Sequence, residues 1–122
     1  TVVHQYRMYS LDNSYSKDDL EDWEKRIQRI LGDAQVEFTC ELKYDGASIS
    51  LTYEEGKLVQ ALTRGDGFQG DDVTTNVKTI RSVPLQLQGD YPQKFDIRGE
   101  IVLPFEGFAQ MNQERIENGE EP

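Results

Sequence analysis

Histidine, cysteine and tryptophan occur once each, at His4, Cys40 and Trp23, and proline occurs only four times. A single cysteine excludes an internal disulfide. With one histidine beside it, the chain also lacks the cysteine and histidine ligands of a structural zinc site. A reduced, cytoplasmic setting is the default for such cysteine usage. No run approaches the ~20 consecutive apolar residues that a membrane-spanning helix needs. Bases are scarce beside acids, 13 against 23, and the net charge is −10. That balance works against non-specific binding to nucleic acid, which needs a concentrated basic surface.

What remains is a soluble globular composition, 36% apolar and 30% charged over 122 residues, enough for one domain with a modest core. The opening Thr1-Val2-Val3-His4 has neither an initiator Met nor a basic, then apolar, leader, so it reads as a cut end and not as a signal peptide. Residues 1–15 form an extended or looped lead-in. Ser16 and Asp19 have the spacing of a capping box, with Asp in place of the usual Glu or Gln. Leu20, Trp23, Ile27, Ile30 and Leu31 then recur at helical spacing until Gly32, which predicts one amphipathic helix over 17–31 within a 16–32 segment.

From 36 to 122 the pattern predicts a strand-rich core. Val36, Phe38, Cys40 and Leu42 alternate with Glu37, Thr39, Glu41 and Lys43, as in a half-buried strand. After a turn at Asp45-Gly46, the alternation of Ile49, Leu51 and Tyr53 predicts a second strand. Glu55-Gly56 turns into a third over 58–63. A glycine-rich loop, Arg64 to Gly70, leads to a helix capped by Asp71 or Asp72 and carrying Val73, Val77 and Ile80. Residues 83–87 and 95–103 read as strands. Pro104 opens a last helix that Asn118-Gly119 closes. The expected class is α+β, a mainly antiparallel sheet flanked by helices.

Three clusters can carry chemistry. In Glu41-Leu42-Lys43-Tyr44-Asp45-Gly46, strand parity places Glu41, Lys43 and Asp45 on one side. A lysine so placed is either a covalent nucleophile or a partner in an ordinary strand-end ion pair. The first role needs a neutral amine, and a free lysine, titrating near ~10.4, is almost wholly protonated at neutral pH. In Thr63-Arg64-Gly65-Asp66-Gly67, glycines let backbone N–H groups approach a ligand and Arg64 can bond a ribose or phosphate. A plain tight connection is the alternative, and the terminal Gly-Lys of a P-loop is missing. In Asp96-Ile97-Arg98-Gly99-Glu100, three charged residues share a face beside a small glycine. Glu100 there can accept from ribose hydroxyls or help hold a hydrated cation, or the face is simply solvated.

Taken in order, these motifs resemble the adenylation domain of bacterial NAD-dependent DNA ligases, nearly end to end. The resemblance is carried by Ser10-Leu11-Asp12-Asn13, Cys40 to Gly46, Ala61 to Gly67, Gly70-Asp71-Asp72-Val73-Thr74, Thr79-Ile80-Arg81 and Arg98-Gly99-Glu100. The Lys-x-Asp-Gly core is shared with ATP-dependent ligases and capping enzymes; the ordered set is far more specific. The resemblance implies a nucleotidyltransferase fold, ATP-grasp-like in its sheet arrangement. It also implies that Lys43 takes AMP from NAD, with Asp45 organising its surroundings. Ser10 and Leu11 would line the nucleotide pocket, Glu41 would lie near the adenine, Arg64 near the ribose and Glu100 on the ribose hydroxyls.

The resemblance further implies Mg²⁺ held through water and phosphate, without a protein ligand, and a monomeric cytoplasmic parent. That parent would seal nicked double-stranded DNA in replication and repair, and would grip it through regions outside these 122 residues. The family's nicotinamide-recognising module and its later lysine motifs are not in this sequence, so the segment alone is expected to be inactive. Two other readings stay open: a ligase or capping enzyme using a nucleoside triphosphate, and a non-catalytic nucleotide-binding module.

Overall fold

A computed structural model describes all residues, 1–122. The chain divides into two compact units, one of residues Tyr9–Lys43 and one of Thr1–Met8 with Tyr44–Pro122.

The first of these is built around helix α1, Lys17–Leu31, with the bounds that the sequence predicts. The Ser16 hydroxyl accepts from Asp19 N at 3.1 Å, and the Asp19 carboxylate accepts from Ser16 N at 3.1 Å and Tyr15 N at 3.0 Å. Those bonds satisfy N–H groups that a helix start leaves orphaned. Led by the one from Tyr15, they hold the Asp19 carboxyl below its ordinary range. Gly32, at φ 64°, closes the helix by donating to Gln28 O at 2.8 Å. After it, Phe38 packs on Trp23, ring centroids 5.2 Å apart.

Residues 36–43 are not a strand, which corrects the alternation-based expectation. Alternation makes a segment extendable, but a strand needs a neighbour for its N–H and C=O groups, and no ladder forms here. Phe38, Cys40 and Leu42 are exposed, so the apolar row faces no core.

The other unit holds an antiparallel three-stranded sheet in the order β3-β2-β5. Its strands are β2, Ala47–Glu54; β3, Lys57–Thr63; and β5, Lys94–Ile101. Glu55 and Gly56 join β2 to β3 with φ of 48° and 73°. Two positive values in a two-residue loop are the primed turn whose twist suits a hairpin. Side chains alternate across the sheet. Ile49, Tyr53, Leu58 and Ala61 face a core closed by Val77, with Val73, Ile80, Val83, Leu87 and Phe95 around it. Burying Ile49, Leu58 and Val77 contributes about 1.5–3 kcal/mol each. Tyr53 stacks on its cross-strand partner Phe95 at 5.4 Å and donates its hydroxyl to Pro84 O at 2.7 Å. Burial pushes its phenol pKa up.

Two further expectations need correction. The helix expected after the glycine-rich loop is a single α-turn, α2, Thr74–Val77. Tighter turns follow, with Ile80 N on Val77 O and Val83 N on Ile80 O. Threonine, asparagine and valine are weak helix formers, and here Thr74 Oγ1 is used to accept from Ala61 N on β3 at 2.9 Å. Neither expected cap holds the cap position, which Val73 takes; Asp72, one residue earlier, accepts from Thr74 N at 3.0 Å. Residues 83–87 make no strand either. They meet the start of β3 through an isolated Lys57–Gln86 bridge, because Pro84 lacks the donor a ladder requires.

The lead-in is tied to the glycine-rich loop. Strand β1, Val2–Val3, pairs antiparallel with β4, Gln69–Gly70. His4 N and Met8 N donate to Phe68 O and Gly67 O at 2.8 and 2.9 Å. Helix α3, Phe105–Glu117, follows Pro104. It ends in a Schellman motif, Glu120 N on Arg115 O and Gly119 N on Ile116 O, with Gly119 at φ 75°. Its apolar residues Phe105, Phe108, Met111 and Ile116 are all exposed. The fold is thus α+β with antiparallel sheets. No helix is long and apolar enough to cross a membrane.

Candidate active site

The face of the sheet opposite the core is polar, because register aligns four residues of β5 with four of β2. Glu100 lies opposite Ser48, Arg98 opposite Ser50, Asp96 opposite Thr52 and Lys94 opposite Glu54. Opposed polar residues at this spacing pair across the strands. Lys94 Nζ reaches Glu54 at 2.6 Å, and that hydrogen bond, then the Glu54 charge, raises the lysine's pKa. Thr52 Oγ1 donates to Asp96 at 2.6 Å. The Arg98 guanidinium donates to the carbonyls of Tyr6 and Arg7 at 2.8 and 2.7 Å, which fastens the lead-in to β5. Beside that contact lies a cavity of about 280 Å³ between residues 3–6 and the sheet, with Thr52, Gln60, Leu62 and Asp96 among its walls.

At the Ser48 end of this face three predicted site segments converge. The Glu100 carboxylate accepts from Gly46 N at 3.0 Å with one oxygen and from Ser48 Oγ at 2.7 Å with the other. Arg64 N donates to Ser48 O at 3.2 Å. Gly46 is where the chain runs closest to β5: a Cβ there would lie 2.2 Å from Ile101 O. No side chain fits, so this glycine is required by the approach itself. At Gly99, by contrast, a Cβ would meet nothing within 4 Å, in keeping with the space expected there.

The glycine-rich loop is folded from within. Asp66 Oδ1 accepts from Phe68 N and Gln69 N, both at 2.9 Å. Gly65 and Gly67 take φ of 56° and 91°. His4 Nε2 lies 3.1 Å from Arg64 O, and the Arg7 guanidinium sits 4.1 Å over the Phe68 ring.

All of residues 1–122 match the family model described as NAD-dependent DNA ligase adenylation domain. The chain belongs to that family. Over its full length it is 74% identical to a DNA ligase of Flavobacterium johnsoniae and 71% identical to one of Flavobacterium psychrophilum. A DNA ligase of Bacteroides fragilis is 57% identical over 99% of the chain. In each case the chain spans 18% of the relative's length.

Within this adenylation-domain segment, Asp45, Arg64 and Glu100 belong to the sheet-bearing unit, and Ser10, Leu11, Glu41 and Lys43 to the α1 unit. Ser10, Leu11, Glu41 and Lys43 are all exposed and stand on backbone outside helices and strands. The parity argument that put Glu41 and Lys43 on one strand face therefore does not apply. Sequence reasoning missed Ser48, which bonds Glu100, and the supporting contacts of two residues inside its own motifs: Asp66 folds the loop after Arg64, and Arg98 fastens the lead-in. Asp66-Gly67 carried a readable signal, since Asp commonly bonds the amide two residues on. Ser48 becomes visible only once the β2–β5 register is known, and what the sequence hid of Arg98 is its pair of bonds to the Tyr6 and Arg7 carbonyls.

Asp66 gives a pH prediction. The amides of Gln69 and then Phe68 hold its carboxyl below the ordinary 3.8. A depressed pKa stabilises the folded loop above the unfolded value, and that contribution disappears as pH falls through the folded one. The Phe68 and Gln69 amide resonances should therefore be flat from pH 7 to about 5 and shift with a midpoint below 3.8. A midpoint above it would refute the assignment of these bonds.

Proposed function

We propose that this segment supplies the lysine end of the nucleotide site in a DNA ligase that uses NAD. Lys43 Nζ, once deprotonated, attacks the adenylyl phosphorus. A P–N bond forms, the P–O bond to nicotinamide mononucleotide breaks, and Lys43 is left as a phosphoramide of AMP. AMP then passes to the 5′-phosphate of a nick, and the adjoining 3′-hydroxyl displaces it. The observation that carries this reading is the Glu100–Gly46 bond at 3.0 Å. It ties the residue assigned to the ribose hydroxyls to Gly46, the glycine of the Lys-x-Asp-Gly motif. Positioning of this kind, with charge neutralisation, must supply much of the rate, because the phosphoryl oxygens repel a nucleophile.

In this reading Glu41 lies by the adenine, Ser10 and Leu11 line the pocket, Arg64 reaches the ribose and Asp45 orders the lysine's surroundings. The sheet is one layer of a nucleotidyltransferase core, ATP-grasp-like in arrangement. Mg²⁺ would be carried by phosphate and water, with no protein ligand assigned; Glu100 and Asp66 serve backbone amides. Nicked DNA is gripped elsewhere in a monomeric cytoplasmic protein, consistent with the net charge of −10 here.

The full-length polypeptide, incubated with NAD and Mg²⁺, is expected to gain one adenylyl group, located on Lys43 by peptide mass spectrometry. The 122-residue segment alone should gain none. An adduct formed from ATP but not NAD, or one mapped to another residue, would overturn the reading.

A further inference from the structure

One residue without an assigned catalytic or binding role bonds the Glu100 carboxylate and the backbone amide of Arg64, the two residues that the proposed function places at the ribose. Ser48 donates its hydroxyl to Glu100 at 2.7 Å, while its backbone carbonyl accepts from Arg64 N at 3.2 Å. Its position follows from register, since Ser48 stands directly across from Glu100 on the polar face. We propose that Ser48 is a positioning residue for the ribose subsite, which sets the rotation of the Glu100 carboxylate so that its free lone pairs face the nucleotide. The proposal rests on the ribose role given to Glu100 above.

The physical argument concerns one torsion. The terminal rotation of a glutamate is broad and roughly two-fold, so a single anchor does not fix it. Gly46 N holds one oxygen and Ser48 Oγ the other, and together they define the carboxylate plane. A carboxylate has about four acceptor positions, so two remain for ribose hydroxyls. A hydroxyl donating to a charged acceptor is among the stronger neutral-donor bonds, which suits it to this task. The same serine, through Arg64 N, sets where the glycine-rich loop departs from the sheet.

The full-length protein tests this with two variants and two substrates. Ser48→Ala should raise the KM for NAD about tenfold and change kcat less than about twofold. Ser48→Thr, which keeps the hydroxyl and suits a strand, should restore KM. With an NAD analogue lacking the adenosine ribose hydroxyls, the Ser48→Ala penalty should fall below about twofold. An equal penalty on both substrates would mark Ser48 as merely structural and overturn the proposal.

A second measurement stands apart from turnover. Hydrogen exchange at the Gly46 amide should quicken about tenfold in Ser48→Ala and stay unchanged in Ser48→Thr. Unchanged exchange in Ser48→Ala sinks the positioning role. Failure of the unmodified protein to form any adenylyl-lysine sinks the functional reading instead, so the two failures are distinguishable.

Discussion

Under the proposed function, a full-length protein bearing Lys43→Ala should form adenylyl-enzyme at less than about one ten-thousandth of the normal rate, since removing the proposed nucleophile removes the step itself. Lys43→Arg should be as inert. Its guanidinium keeps the positive charge yet stays protonated at any working pH, leaving no lone pair to attack phosphorus. Both are measured by single-turnover transfer of labelled AMP from NAD. A control separates chemistry from folding. DNA already carrying AMP on its 5′-phosphate needs no lysine for the final displacement, so both variants should still seal it at a readily measured rate. A Lys43→Ala protein that accumulates adduct from NAD would show that the nucleophile lies elsewhere.

Gly46→Ala is expected to be strongly damaging in the sheet-bearing unit. Its added methyl would lie 2.2 Å from Ile101 O and 3.0 Å from Val102 Cγ1. The first of these is backbone, held in the β2–β5 ladder by the Ala47–Ile101 pair, so it does not yield as a side-chain tip would. Overpacking of this kind costs about 1–3 kcal/mol, and the upper end applies to a main-chain clash. Relief requires β2 and β5 to part, which pulls Gly46 N from Glu100, the residue proposed to hold the ribose. A displacement of about 1 Å at a reacting group costs on the order of 100-fold in rate. Urea unfolding and single-turnover adenylation, at a temperature where the variant is folded, check both numbers. Gly99→Ala is the matched control, with open space at its Cβ and an expected stability change within about 0.5 kcal/mol. A Gly46→Ala protein as stable as that control would contradict the geometry.

The features legible in the sequence were those whose partners are close along the chain. Helix α1 came out with its bounds because Ser16, Asp19 and Gly32 act within one turn of its ends. The β2–β3 hairpin was readable because Glu55-Gly56 dictates its turn. Residues 36–43 carried equally clean alternation, yet a strand is a relation between two segments, and the second is missing from the pattern. The same limit governs the site. Arg64 and Glu100 stand in recognisable motifs, but the bond from Ser48 to Glu100 spans 52 residues and the one from Arg98 to Tyr6 spans 92. Nothing short of the strand register reveals them.

The pairing of Val2–Val3 with Gln69–Gly70 has a consequence for how the protein is made. On the ribosome the earlier segment emerges without its partner, and at about 5–20 residues per second the later one follows roughly 3 to 13 s behind. Throughout that interval the Val2–Val3 amides are met by water alone, and the lead-in stays untethered until its partner emerges.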